Sequence, residues 1–232
     1  MSKRLWIVIG VLIISVVGGA IWWRNTNSDI DNVDVNALDP MSLITQEDVG
    51  ENGIPDHYIG YRDSKVIVIE YGDFACSFCK QFADDAAQIR EDFKDRVLFI
   101  RRTFALGFPN SDATAEAVEA AYLAGGIEAY FAMYRLLWTT DMWIGQAVDA
   151  QTRREVFDNY AEQIGIDVDE FNKHLENRRQ NGIRAKITRD RQLGQNSGVT
   201  GTPNWFVNGE RVNRVTNQSI RDAIEIALRD TE

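Results

Sequence analysis

Residues 66–82 read VIVIEYGDFACSFCKQF and contain both cysteines of a 232-residue chain. Val66 to Glu70 is a β-branched run of the kind that fills a strand buried on both faces, and Gly72 and Asp73 are residues that end one. Beyond them Phe78, Phe82, Ala86, Ile89 and Phe93 recur at steps of three and four, the spacing of one apolar face of a helix. The stretch therefore predicts strand, turn and helix, with Cys76 and Cys79 in the helix's first turn. Unpaired backbone N–H groups and the positive end of the helix dipole gather there, and both favour a thiolate. A CxxC thiol so placed has its pKa pulled from about 8.5 into a range of roughly 3.5 to 7.5. Cys76, nearest the helix end, is expected to be the more acidic and more exposed thiol. Cys79, one turn deeper, is expected to be the resolving one.

Three roles compete for the pair: a structural clip, part of a metal site, or a redox couple. A clip between cysteines three residues apart closes a very short loop and contributes little, because the entropy a disulfide removes from the unfolded chain falls as the loop shortens. A closed zinc site needs four ligands, and only His57 and His174 are available to join the cysteines; neither shows ligand spacing. His57 reads as loop, and His174, within DEFNKHLEN, as a helical residue on a partly exposed face. No metal is expected. The redox role agrees best with the helix-terminal setting.

Composition narrows the setting. With 25 basic against 35 acidic residues the chain carries a formal charge of −10, which argues against nucleic acid or an anionic lipid surface as the main partner. Its 44% apolar content is enough to fill a core. Leu5 to Trp23 (LWIVIGVLIISVVGGAIWW) is uncharged and matches the ~20 residues that cross a hydrocarbon core. Lys3 and Arg4 precede it and Asp29, Asp31 and Asp34 follow, so the expected arrangement is a cytoplasmic N-terminus, one transmembrane helix within residues 1–23 and everything else outside. A cleaved signal peptide is the alternative, with Gly18 and Ala20 as small residues, but the apolar run continues past them into Trp22 and Trp23. Residues 24–42 are polar, Asn- and Asp-rich and aperiodic, and read as a flexible tether to a domain over 43–232.

Downstream of the CxxC the pattern is largely helical. Ser111 is placed to cap a helix that Gly125-Gly126 ends; EAYFAMYRLLW follows from Glu128. Thr152 with Glu155, and Asp167 with Glu170, have capping-box spacing ahead of apolar stripes, and a long helix is expected from about Gln180 to Asn196. Ile220, Ala223, Ile224, Ala227 and Leu228 form the stripe of a last helix. The aromatics Tyr122, Tyr130, Phe131, Tyr134, Trp138 and Trp143 read mostly as core. Asn217-Gln218-Ser219 matches a glycosylation sequon but reads more simply as a helix start.

Taken in order, VIVIEYGDFACSFCKQF, VLFIRRTFALGFP (97–109) and GVTGTPNWFVNGERV (198–212) resemble the first core strand with active-site helix, the second core strand, and the cis-proline loop with final hairpin of the DsbA-like branch of the thioredoxin superfamily. The resemblance implies an α/β thioredoxin-like fold with an inserted helical domain at about 111–195, preceded by the transmembrane helix. It also implies that Cys76 is the attacking cysteine, that Cys79 is its buried disulfide partner, and that Thr202 and a cis Pro203 lie against them and bind an extended substrate beside Ser77 and Phe78. Glu70 falls where the superfamily carries a buried acid that relays the proton of Cys79. The dipeptide Ser77-Phe78 lacks the histidine of several relatives, leaving the helix dipole and backbone N–H groups as the main supports of the thiolate. The implied activity is that of an extracytoplasmic thiol:disulfide oxidoreductase without a bound cofactor: a monomer that oxidises cysteine-containing secreted or surface proteins and is reoxidised by a membrane quinone-linked partner. A reductase or isomerase of the same fold, and a non-catalytic binding module, are the competing readings.

Overall fold

The computed structural model describes residues 33–231. The transmembrane span expected over Leu5–Trp23 lies outside them; among the described residues no helix is long and apolar enough to cross a membrane. Five strands form one sheet in the order β1-β3-β2-β4-β5, with β1 His57–Gly60, β2 Ile67–Gly72, β3 Leu98–Thr103, β4 Asn204–Val207 and β5 Glu210–Arg211. β2 runs parallel to β3 and antiparallel to β4, and β1 is antiparallel to β3. This central place explains why the chain entering β2, Val66 to Ile69, is a continuous apolar run rather than an alternating one. The hairpin between β4 and β5 turns on Asn208 and Gly209, with φ of +46° and +85°, the left-handed values that a two-residue Asn-Gly turn demands.

Among the described residues the α-helices are α1 Gln46–Val49, α2 Ser77–Phe93, α3 Ser111–Leu137, α4 Ala150–Ile164, α5 Val168–Glu176, α6 Ile183–Asn196 and α7 Asn217–Arg229, with a short 3-10 helix at Val35–Ala37 before them. Helices α2 and α7 bury their stripes, including Ile89, Phe93, Ile220 and Ile224, against Val68, Phe99, Trp205 and Val207 on one face of the sheet. Ile69, Tyr71, Ile100 and Phe206 point to the opposite face, which α6 and the N-terminal segment cover. Side chains alternate along β3, so Arg101 shares the α2 face with Phe99 while Arg102 shares the other with Ile100. Helices α3, α4 and α5 form the insertion around their own core, in which Tyr130, Tyr134, Trp138 and Trp143 are buried.

One expectation stands: the helix from Ser111 is broken at Gly126, whose φ of +75° and ψ of −164° are non-helical, before helix resumes towards Leu137. Several others change in detail. Ser111 is the first residue of α3 rather than its cap, because its hydroxyl is engaged by Asp73; Asn110 holds the N-cap position. Helix α4 starts earlier than the Thr152–Glu155 spacing suggested, at an Asp149 cap that accepts from the N–H groups of Gln151 and Thr152. His57 is not loop: it opens β1, is 1% exposed, and its Nε2 lies 2.7 Å from Glu119 Oε2 on α3.

The tether is also shorter than expected. From Val33 onward the chain lies against the domain: Val33, Val35 and Leu38 pack on Ile44, Val49 and Leu193, and the carbonyls of Pro40 and Ser42 accept from Arg102. The physical reason is Arg102 itself, fully buried and requiring more acceptors than its carboxylate partner supplies. Residues 24–32 lie outside the described part.

Candidate active site

Strand β2 delivers the chain to the CxxC and α2 begins on it. Cys76 is the N-cap of α2, with extended φ and ψ, and Cys79 lies in the helix's first turn. Both are free cysteines. The carbonyl of Thr202 lies 3.3 Å from Cys76 Sγ and accepts its hydrogen bond, and the Thr202–Pro203 peptide is cis. The sequence expectation that the proline loop faces the CxxC therefore holds. In accessible surface the two cysteines are alike, at 4% and 5%, with the Thr202 loop over Cys76, but the Cys76 thiol has the less deeply buried surroundings, as expected.

The two thiols diverge in acidity. The Cys79 thiol, hydrogen-bonded to the Cys76 sulfur, is the largest influence on Cys76; against burial, and with the Thr202 side chain and the backbone N–H groups of Cys79 and Phe78, it lowers the Cys76 pKa from 9.0 to about 6. Burial does the reverse to Cys79, pushing it well above 9.0, and hydrogen bonding to Cys76 adds to the rise. One thiol is thus ionised near neutral pH and the other holds its proton. Because the folded pKa of Cys76 is lowered, the stability it lends the reduced protein is fully present above the ordinary thiol pKa and is lost as pH falls through about 6. Alkylation of Cys76 in the reduced protein should accordingly rise with a midpoint near pH 6, while Cys79 stays unreactive; a midpoint above about 8 would contradict the arrangement.

Glu70 is buried as expected, at 7% exposed, but it is not alone. Arg90 Nη1 of α2 donates to its Oε2 at 2.8 Å, and Arg101 Nε of β3 stands 3.9 Å from its Oε1. Neither arginine was singled out from the sequence, where each looks like an ordinary charged position. Arg101 is packed between the rings of Phe74 and Tyr134, with its carbon Cζ 5.6 and 5.7 Å from their centroids, and feels the Cys79 side chain among its neighbours. Its Nε and Nη2 have no hydrogen-bond partner among the described residues. A Cβ at Gly72 would sit 2.8 Å from Arg101 Nη2, so the glycine that closes β2 also makes room for this cation. The structure brings the buried Glu70 carboxylate together with two buried guanidinium groups, one of which feels Cys79, rather than leaving a solitary acid.

Beside the pair, Phe78, Gln81, Phe82, Thr202, Pro203 and Val215 line an open cavity of about 400 Å³. Phe78 is 67% exposed at its edge, an unusual position for a phenylalanine that makes no core contact, and Ser77 next to it is exposed as well. The four residues expected to meet substrate are therefore adjacent. Phe78→Ala should raise KM for a cysteine-bearing peptide several-fold and leave kcat near its starting value, since the ring contributes contact and no chemistry; a fall in kcat at unchanged KM would contradict this.

A sheet with β2 and β3 parallel, a helix opening on CxxC and a cis proline facing it define a thioredoxin fold. The chain matches the family model described as Thioredoxin over residues 52–226, and it belongs to that family. Its fold is of the DsbA-like kind. It aligns with the thiol-disulfide exchange protein alpha-DsbA2 from Wolbachia pipientis at a TM-score of 0.62 and 24% identity, covering 74% of this chain and 86% of that one. With oxidised BdbD from Bacillus subtilis the TM-score is 0.63 at 19% identity, over 82% and 97%. Among curated relatives it is 35% identical over 158 residues to the Na(+)/H(+) antiporter NhaA 1 of Salinispora arenicola, which covers 67% of this chain and 22% of the antiporter. The corresponding protein of Mycobacterium sp. strain KMS is 27% identical over 208 residues, covering 88% of this chain and 31% of the relative. The chain thus spans less than a third of the length of these two relatives.

Proposed function

We propose that the chain is a thiol:disulfide oxidoreductase working outside the membrane as a dithiol oxidase. The observation that supports a reactive pair is the opposite displacement of the two thiols, Cys76 down to about 6 and Cys79 well up; the oxidase direction is proposed from the likeness to DsbA-like proteins. In the oxidised enzyme a substrate thiolate attacks Cys76 Sγ and the Cys76–Cys79 bond breaks, leaving Cys79 as a thiolate that takes up a proton. A second substrate thiolate then attacks the substrate sulfur of the mixed disulfide and expels Cys76 as a thiolate. Two electrons pass to the enzyme and the substrate gains one disulfide. A low leaving-group pKa at Cys76 speeds the second step. Glu70, held with Arg90 and Arg101, is the group proposed to exchange the Cys79 proton with solvent. Thr202 and Pro203 offer backbone to an extended substrate, and Ser77 and Phe78 border it.

The proposed substrates are cysteine-containing secreted or surface proteins. The outer-side location is proposed from the sequence reading of Leu5–Trp23 as a span, and the proposed reoxidant is a membrane quinone-linked partner. The alpha-DsbA2 neighbour is named as a thiol-disulfide exchange protein, which is consistent with this chemistry.

Magnitudes decide what the pKa alone supplies. At pH 7 a thiol of pKa about 6 favours the reduced enzyme roughly tenfold over an ordinary one, at most about 30 mV of the ~150 mV that separates reducing from oxidising members of this class. The test is therefore the Cys76–Cys79 equilibrium against glutathione. A potential well above that of thioredoxin, nearer −120 than −270 mV, is expected; a value of about −270 mV or below would replace the oxidase reading with the reductase one.

A further inference from the structure

Asp73, between the end of β2 and the first cysteine, is 1% exposed, and among the described residues no lysine, arginine or histidine pairs with it. A buried carboxylate without a counter-ion is costly unless hydrogen bonds hold it. Its Oδ1 accepts from the Ala75 N–H at 2.9 Å. Its Oδ2 accepts from the Leu106 N–H at 2.8 Å and from the Ser111 hydroxyl at 2.6 Å. The backbone of the same residue reaches both cysteines: its carbonyl accepts the Cys76 N–H at 3.1 Å, and its N–H is among the groups that favour a Cys79 thiolate.

A serine or asparagine would close the local turn to Ala75 as well as an aspartate does. What neither can do is accept from Leu106 and Ser111 with a second oxygen while the first holds Ala75. The second carboxylate oxygen is therefore what makes the long-range contacts, those that fasten the turn to the segment after β3 and to the start of α3.

We propose that Asp73 is a positioning residue of the redox pair, whose carboxylate locks the β2–α2 turn onto residues 106–111 and so keeps the backbone of residue 73 aimed at Cys76 and Cys79. This rests on the reading of the two cysteines as a reactive pair. The lock acts on the N-cap geometry of α2: with it in place, the N–H groups of Phe78 and Cys79 stay directed at the Cys76 sulfur. Released, the turn shifts, and the thiolate loses part of that support. The charged group that faces the thiols from β3, Arg101, is untouched by such a change.

The experiment compares the pH dependence of Cys76 alkylation by iodoacetamide in the reduced wild-type chain and in Asp73→Asn, with thermal unfolding measured alongside. Asp73→Asn should move the midpoint upward, slowing alkylation near pH 5 at least about threefold, since below the midpoint the rate follows the thiolate fraction. A carboxylate acting only through its charge gives the opposite sign, because removing a nearby anion lowers a thiol's pKa. A carboxylate acting only as structure lowers the unfolding temperature and leaves the midpoint in place. Either result overturns the proposal. Where Asp73→Asn fails to fold, Ser111→Ala removes one of the three donors while keeping the charge; a smaller upward shift supports the lock, and an unchanged midpoint overturns it. A wild-type midpoint in the ordinary thiol range overturns the reactive-pair reading and this proposal with it. An acidic wild-type midpoint that the substitution does not raise overturns this proposal alone.

Discussion

Cys76→Ser is expected to reduce disulfide exchange to background while leaving the fold in place. The thiolate is the species that attacks and leaves in exchange, and a serine hydroxyl has no accessible anion near neutral pH and forms no bond to sulfur that can be exchanged. Serine is close in volume to cysteine, so the packing beneath Thr202 survives. Cys79→Ser has a different expected outcome. Cys76 stays acidic enough to react, but the thiol that would release a trapped partner is gone, so mixed disulfides between Cys76 and substrate proteins should accumulate and resolve on adding reductant. Non-reducing electrophoresis of both variants after exposure to an oxidised cysteine-containing protein reads this directly. Equal trapping by both variants, or by neither, would remove the asymmetry on which the proposed mechanism depends.

Asp56→Ala should cost about 3–5 kcal/mol of stability, lowering the unfolding temperature by on the order of 10 °C for a chain of this size. Asp56 lies among three cations: Arg102 Nη2 at 2.6 Å, Arg189 Nη2 at 3.3 Å and Lys186 Nζ at 3.7 Å. The side chains of Asp56, Arg102 and Lys186 are wholly buried. Burial alone would raise the Asp56 carboxyl; Arg102, Lys186 and Arg189 overturn that and hold it well below the usual carboxylate range. Without Asp56, Lys186 and Arg189 keep Asp190, at 2.5 and 3.4 Å, but Arg102 loses its carboxylate and is left as an uncompensated buried charge. Such a cluster is weak evidence of net stabilisation, because each ion was desolvated to form it, but removing one member exposes the full penalty. Since the folded pKa of Asp56 is depressed, its contribution is present above the ordinary carboxylate pKa and is lost only as pH falls through the much lower folded value. Acid unfolding of the wild type should therefore not begin at this site. Calorimetry at neutral pH is the check, and a loss under about 1 kcal/mol would show that the cluster relaxes or takes up water.

The redox motif and the strand before it were legible because they are local: the β-branched run of Val66–Glu70 and the i, i+3, i+4 stripe of α2 each write themselves within a few neighbouring residues, whereas the second core strand and the final hairpin came from the family resemblance. The position of Thr202-Pro203 opposite the CxxC came from a family resemblance and from no local signal. The buried ions were not legible. Asp56, Arg102 and Arg189 lie far apart along the chain, and in a sequence with 26% charged residues nothing distinguishes an arginine that ends in the core from one in water. His57 was misread for a related reason. HYIG is too short and too mixed to declare a strand, and only its pairing with β3 and the Glu119 carboxylate gives it a place. Glu70 was located correctly, but its partners Arg90 and Arg101 were not foreseen.

Arg101 and Arg102 look in the sequence like a plain basic doublet, yet they serve opposite faces of one strand, the first beside the cysteines and the second holding the N-terminal segment. Losing or gaining a single residue within Leu98–Ile100 would send each guanidinium to the other face of the sheet, away from the carboxylate it now serves. This doublet is therefore a phase marker for the whole molecule. Residues 98–103 should accept conservative replacements one at a time, but no change in length, however small.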